Sequence, residues 1–205
     1  MLLWTMTKGL ETRDAVLREA LVQSSRVGLR GITIGSLSDS MGMSKSGLFA
    51  HFRSKEQLQL DTLGYATDSF ALNVVQVALK APRGEPRVQV LFERWLGWAG
   101  YADYAMPGGC IFATAAREFD DEPDGPVRDA LVQGQLDWRD SVETIFRSGI
   151  AEGHFRDDAN PREFAADLLG ILLSYQFSAR LLGERDAASE RAGRAFERLL
   201  DSVRT

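Results

Sequence analysis

Residues 33–52 read TIGSLSDSMGMSKSGLFAHF, and their spacing predicts two short helices joined by a tight turn. Ile34, Leu37 and Met41 fall on one helical face, and after the turn Leu48 and Phe52 fall on another. Gly42 stands where the chain must reverse. Thr33 is placed to cap the first helix and Ser44 the second, each hydroxyl accepting from a backbone N–H that the helix leaves unpaired. The second helix is only about two turns long at ~3.6 residues per turn, and its outer face carries Lys45, Ser46, Gly47, Ala50 and His51. Small and polar residues there permit close approach to another molecule.

Two such helices form a helix-turn-helix, a unit that places its second helix in a DNA major groove. Lys45 follows the Ser44 cap and Lys55 follows the next cap, Ser54, so two cations sit at helix starts, where the macrodipole disfavours positive charge. A docked phosphate reverses that sign. Two solvated surface lysines are the plainer reading of the same residues, and the helix-turn-helix frame favours the phosphate.

The longer stretch GITIGSLSDSMGMSKSGLFAHFRSKEQL, residues 31–58, resembles the DNA-binding domain of the tetracycline-repressor (TetR) family of bacterial regulators. The resemblance lies in the turn, the Ser-Lys opening of the recognition helix, the Leu-aromatic-x-x-Phe pattern and the following Ser-Lys-Glu, and it covers about residues 10 to 60. It departs from the family at Phe49, where a phosphate-contacting tyrosine is usual, and at Gly47, where threonine is common. The DNA-contacting set expected here is Thr33, Ser44, Lys45, Ser46, Gly47, Phe49, Ala50, His51 and Lys55, with Ser46 and His51 reading bases.

Charge distribution agrees with one DNA-facing end. The 205 residues carry a net charge of −5, yet residues 1–60 hold eight Lys/Arg against five Asp/Glu, a balance of +3 that leaves −8 on the remainder. A basic head on an acidic body follows. A hydrophobic content of 44% is enough for a real core, and the single cysteine, Cys110, rules out a disulfide within the chain and fits a reducing, cytoplasmic setting. Met1 to Met6 lacks a basic start followed by a long apolar core, so it reads as a mobile arm and not a signal peptide. No uninterrupted apolar run of about 18 residues occurs, so no membrane partner is expected.

Strand-like alternation is nearly absent and the expected fold is all-α. It comprises an N-terminal arm and three-helix helix-turn-helix domain over residues 1–54, then a helical body over 55–205, which the resemblance implies is a ligand-binding and dimerisation domain, with about nine helices in total. Thr12 to Val27 reads as a first helix that braces the head, stopped by Gly28 to Gly31. A helix from Ser54 to about Lys80 opens on a Ser-x-x-Gln capping box. It carries two apolar stripes: Leu63, Phe70, Val74, Val77, and Leu58, Tyr65, Leu72, Leu79. It belongs to both halves, so a ligand near Phe70 and Val74 can bias the spacing of two DNA-reading heads.

After Pro86 a helix sets Leu91, Trp95 and Trp98 on one face; Pro107-Gly108-Gly109 opens a short helix from Cys110 to Glu118. The run Asp120 to Pro126 reads as a solvated acidic loop, since no histidine accompanies it as a metal ligand. A further helix carries Leu131, Trp138, Val142 and Ile145. Asn160-Pro161-Arg162-Glu163 is a strong helix start. The helix it opens is apolar nearly all round, and the last helix places Ala188, Ala192, Phe196, Leu199 and Val203 on one side. Burial against a second copy accounts for both, as a four-helix homodimer interface.

The resemblance implies an effector pocket among the central helices; no cofactor is expected. The aromatic or reactive side chains there are Phe70, Trp95, Trp98, Cys110, Phe112, Trp138, Tyr175 and Phe177, each of which also reads as ordinary core. Cys110 and His154 could be cast as nucleophile and base, but nothing in their local sequence activates a thiolate, and catalysis is not expected. The function read here is a ligand-responsive transcriptional regulator, a repressor that binds a palindromic double-stranded operator as a homodimer and is released by a small apolar or aromatic effector. An adaptor that keeps the fold without sequence-specific DNA binding is the alternative.

Overall fold

In the computed structural model the backbone is described from residue 2 and side chains from residue 11; the first helix begins at Leu2 and not at Thr12, so the segment expected to be a mobile arm is helical backbone from Leu2 onward. Ten α-helices succeed one another: α1 Leu2–Val27, α2 Ile34–Met41, α3 Lys45–His51, α4 Lys55–Phe70, α5 Gln76–Lys80, α6 Glu85–Ala99, α7 Ile111–Phe119, α8 Pro126–Ala151, α9 Pro161–Gln176 and α10 Arg185–Asp201. A π-helical turn, Ala71–Val75, joins α4 to α5 into one rod, and a second, Phe177–Leu181, extends α9. Counted as continuous rods these make nine helices among the described residues, and the all-α expectation holds. One isolated bridge, Phe155 to Arg204, is the only pairing of extended backbone among them.

The chain divides into two compact units. The first comprises Met1–Ser69 and Met106–Val132, the second Phe70–Ala105 and Gln133–Thr205. In the first, Val16, Leu17, Ala20 and Leu21 of α1 bury against Leu37 of α2, Leu48 of α3 and Leu58 of α4. Ile111 and Ala115 of α7 complete the same cluster. Burying a Leu or Ile side chain contributes roughly 1.5–3 kcal/mol, so this cluster dominates the first unit's stability. Phe52, fully buried just past α3, ties the recognition helix to it.

The long helix starts at Ser54 as expected, with the Ser54 hydroxyl accepting from Gln57 N–H at 3.0 Å. The reciprocal half of the capping box does not form, because the Gln57 amide donates to Asp61 at 3.0 Å instead. Of the two stripes on this rod, Leu58, Leu63, Phe70 and Val74 are buried, whereas Leu72 and Leu79 are exposed. The second stripe therefore ends at half-buried Tyr65.

In the second unit Phe146 stacks on Phe155 at 4.6 Å and on Phe164 at 4.2 Å, and Phe92 stacks on Phe196 at 4.0 Å. The C-terminus is clasped onto the start of α6. Arg204 donates to both carboxylate oxygens of Glu85, with Nε to Oε2 at 3.0 Å, and also reaches Glu197 and Asp201. The hydrogen bond from Arg204 holds the Glu85 carboxyl below its ordinary pKa. A carboxyl with a lowered folded-state pKa adds stability above its unfolded pKa and loses it as pH falls through the folded value. Arg204→Ala is therefore expected to destabilise the second unit by about 1.5–3 kcal/mol at pH 7. That difference from the parent should narrow in urea melts as pH falls beneath the ordinary glutamate range and through the lowered folded-state value of Glu85.

Candidate functional site

The helix-turn-helix is built by local hydrogen bonding. The Thr33 hydroxyl accepts from Ser36 N–H at 2.9 Å, while the Ser36 hydroxyl accepts from Thr33 N–H at 3.2 Å, a reciprocal cap at the start of α2. At the turn Gly42 adopts φ +62°, the left-handed conformation that glycine accepts without a Cβ penalty. Ser38 then pins the corner, its hydroxyl donating to the Met43 carbonyl at 2.6 Å. Ser44 starts α3 by accepting from Gly47 N–H at 3.1 Å, and its oxygen lies 3.2 Å from the Ser46 hydroxyl.

With Leu48 fully buried, α3 can turn only one face outward. Lys45, Ser46, Phe49 and Ala50 are exposed on it, with Gly47 and His51 half-buried beside them. Phe49 is 53% exposed, too much for an aromatic ring serving only as core. Thr33, Ser44 and Lys55 are also exposed. The Lys55 ammonium donates to the Arg30 carbonyl at 2.6 Å, so this cation is placed beside the loop that leads into α2.

Sequence reasoning missed what holds that loop from behind. The Glu118 carboxylate, near the end of α7, accepts from the backbone N–H groups of Leu29 at 2.8 Å and Arg30 at 3.3 Å. Arg30 in turn pairs with Glu122 at 2.6 Å and lies over the Phe119 ring. In the segment before α7, Gly108 N–H donates to the Ser25 hydroxyl at 3.0 Å. These pairs are separated by more than 80 residues and leave no local signal. The acidic loop has a definite role here: Glu122 serves Arg30, Asp120 pairs with Arg117 at 2.5 Å and Asp124 with Arg128 at 3.1 Å.

Of the expected effector contacts, the structure brings three together in the second unit. The Phe70 ring meets Trp98 edge-on at 5.4 Å and Trp138 edge-on at 4.9 Å. Trp95 is buried on the same helix as Trp98, and buried Tyr175 brings its hydroxyl close to Gly100. Cys110 and Phe112 belong to the first unit; Cys110 is buried at the start of α7 and Phe112 packs on the head's core. Phe177 is 55% exposed, in line with exposed Leu173 and Leu181. Alongside, α9 and α10 border an open groove of about 780 Å³ lined by Gly170, Ile171, Ser174, Ala192, Ala195 and Leu199 among others. The buried residues of α10 are Ala188, Ala192, Phe196 and Leu200, and half-buried Leu199 lines the groove together with Ala188 and Ala192 of the side expected to meet a second copy.

His154 uses its ring Nδ1 to accept from Glu85 N–H at 3.1 Å at the start of α6, a structural role. No group of three or more His, Cys, Asp or Glu that could hold a metal occurs among the described residues, and no described helix is long and apolar enough to cross a membrane.

Residues 84–196, more than half of the chain, match the family model described as tetracyclin repressor-like, C-terminal domain. The fold is similar to that of a TetR transcriptional regulator from Chloroflexus aurantiacus, with TM-score 0.83, 24% identity and coverage of 97% of this chain and 98% of that one. A TetR-family regulator from Cytophaga hutchinsonii gives TM-score 0.83 at 18% identity, covering 97% of each chain. AibR, in complex with isovaleryl coenzyme A and operator DNA, gives TM-score 0.65 at 19% identity, over 88% of this chain and 96% of that one. No curated protein sequence matches significantly. A capped helix-turn-helix and a helical second unit, with the family model covering residues 84–196, together place this chain in the tetracycline-repressor-like (TetR) family of transcriptional regulators.

Proposed function

We propose that the protein is a ligand-responsive repressor that binds a palindromic operator as a homodimer in the cytoplasm and is released by a small apolar or aromatic effector. The outer face of α3 carries this reading: Lys45, Ser46, Phe49 and Ala50 stand exposed on a helix fixed by two caps and a buried Leu48. In this reading Lys45 holds a phosphate, Ser46 and His51 read base edges, and Phe49 lies against a sugar or a thymine methyl in place of a tyrosine hydroxyl contact. Thr33, Ser44 and Lys55 border the same backbone, with Gly47 and Ala50 allowing close approach. That a fold neighbour, AibR, is captured with both an acyl coenzyme A and operator DNA supports a double role for the architecture.

The groove beside α9 and α10, with exposed Leu173, Phe177, Leu181 and Leu182 nearby, supports a twofold interface. Phe177 belongs to that interface in this reading, and the effector set contracts to Phe70, Trp95, Trp98, Trp138 and Tyr175. The α4 rod passes from one unit to the other between Ser69 and Phe70, so an effector held at Phe70 acts on the helix whose start follows the recognition helix. A coupling of about 1–3 kcal/mol changes DNA affinity roughly 5- to 150-fold.

Fluorescence anisotropy across a salt series tests the DNA face. Lys45→Ala is expected to weaken binding equally on specific and random duplexes and to reduce the salt slope by about one. Ser46→Ala and His51→Ala should instead weaken the specific duplex selectively; an equal loss on both duplexes contradicts the base-reading assignment.

A further inference from the structure

Three buried polar atoms in the second unit have no hydrogen-bond partner: the indole Nε1 of Trp98, the Oε1 of Gln176 and the Nε of Arg139, of which the last faces the Glu143 carboxylate at 3.6 Å while the first two face no charge. Trp98 is completely buried, and buried polar groups are nearly always satisfied unless water or a ligand completes them. Of the first two, one is a donor and the other an acceptor. Trp98 lies near the end of α6 and Gln176 is the last residue of α9, and these two helix ends are fastened together by Arg180 Nε donating to the Ala99 carbonyl at 3.0 Å and by the Tyr101 hydroxyl donating to the Ala179 carbonyl at 3.1 Å.

Helix geometry singles out the same place. The π turn Ala71–Val75 begins directly after Phe70, the ring against Trp98, and the π turn Phe177–Leu181 begins directly after Gln176. π turns are rare and frequently accompany functional sites. Here the only two among the described residues start at the two side chains that adjoin the orphaned donor and supply the orphaned acceptor.

Charge narrows the class of guest. Glu143 is the only buried Asp, Glu, Lys, Arg or His among the described residues, and it is already engaged by Arg147 at 2.8 Å and Arg139 at 3.6 Å. The buried Nε of Arg139 already has its charge matched by Glu143, so a guest carboxylate would compete with that pair, and an unpaired buried charge is strongly disfavoured.

We propose that the effector is a neutral molecule with an aromatic or apolar body and a hydroxyl group, the hydroxyl accepting from Trp98 Nε1–H and donating to Gln176 Oε1, the body lying against Phe70 and Trp138. This rests on the second unit being an effector-binding domain and adds the chemistry that selects the ligand. A site that hydrogen-bonds a hydroxyl rejects the analogue lacking it, because its own polar groups are then left unpaired.

Phenol, toluene and benzoate, similar in size, are suitable probes for the full-length protein labelled with ¹⁵N. The Trp98 indole N–H resonance, assigned by triple-resonance experiments and by its loss in Trp98→Phe, should shift saturably with phenol, far less with toluene and not with benzoate. Gln176→Leu should weaken phenol at least fivefold and leave toluene within twofold, which keeps the test intact even where Trp98→Phe fails to fold. Absence of a phenol shift, a toluene or benzoate shift as large as phenol's, or equal weakening of phenol and toluene by Gln176→Leu overturns the proposal. None of these results bears on operator selection, so the regulator reading stands or falls separately.

Discussion

Gly108→Ala is expected to destabilise the first unit by about 3 kcal/mol, at the upper end of overpacking substitutions. A Cβ at this position would lie 1.7 Å from the Ser25 carbonyl oxygen, 2.1 Å from its carbon and 2.6 Å from Arg26 nitrogen. All three are backbone atoms near the end of α1, held in its helix, and none can swing aside as a side chain would. Relief requires the segment before α7 to move away from α1, which also breaks the Gly108 N–H to Ser25 bond. The melting temperature should fall by roughly 6–12 °C at 2–4 °C per kcal/mol for a chain of this size. DNA binding should weaken with it, because the loop into α2 is held by Glu118 on that same α7. Gly134→Ala is the matched control: it lies inside α8 with nothing within 4 Å of the added Cβ, and should be neutral or stabilising by up to about 1 kcal/mol. Equal melting of Gly108→Ala and the parent would contradict the packing described.

The second large effect concerns assembly. Leu199 is half-buried and lines the groove beside α9 and α10, whereas Phe196 and Leu200 are buried within the unit. Leu199→Glu should therefore leave the helical signal intact and place an unpaired carboxylate in a twofold interface, once from each copy. Light scattering should show dimer for the parent and monomer for the variant at micromolar concentration. Operator affinity should drop by at least about 100-fold, because the second head loses the effective concentration that tethering gives it. A parent that is monomeric at the same concentration contradicts the dimer.

What the sequence made legible is what short range determines. Thr33, Ser44, Ser54 and Asn160 cap helices because each hydroxyl or amide acts within three residues, and all four caps are present. Apolar spacing located every helix body for the same reason. Illegible were the contacts closed by the fold itself. Glu118 meets Leu29 across 89 residues of sequence, and nothing near either residue signals the other. The Gln57 amide had two partners in reach by pattern, the cap N–H as donor and the Asp61 carboxylate as acceptor, and only the folded geometry chose Asp61. Aromatic composition likewise flagged Phe70, Trp98 and Trp138 together with Cys110, Phe112 and Phe177, although the last three lie in the first unit or at the surface. Composition reports which side chains could line a cavity, while the face each one takes depends on helix phase and on interruptions such as the two π turns.

The most direct measurement of the central claim is selection of duplexes by the full-length protein from a randomised DNA library at near-physiological salt. The account predicts enrichment of an inverted repeat whose half-site centres lie about 34–36 Å apart, one helical turn, so that two α3 helices enter successive major grooves on one side of the duplex. Enrichment should vanish with Leu199→Glu and change in base preference with Ser46 or His51 variants. A library returned without any enriched repeat, by a protein shown to be folded and dimeric, would contradict the account and identify the chain as one that keeps the family's fold without reading DNA sequence.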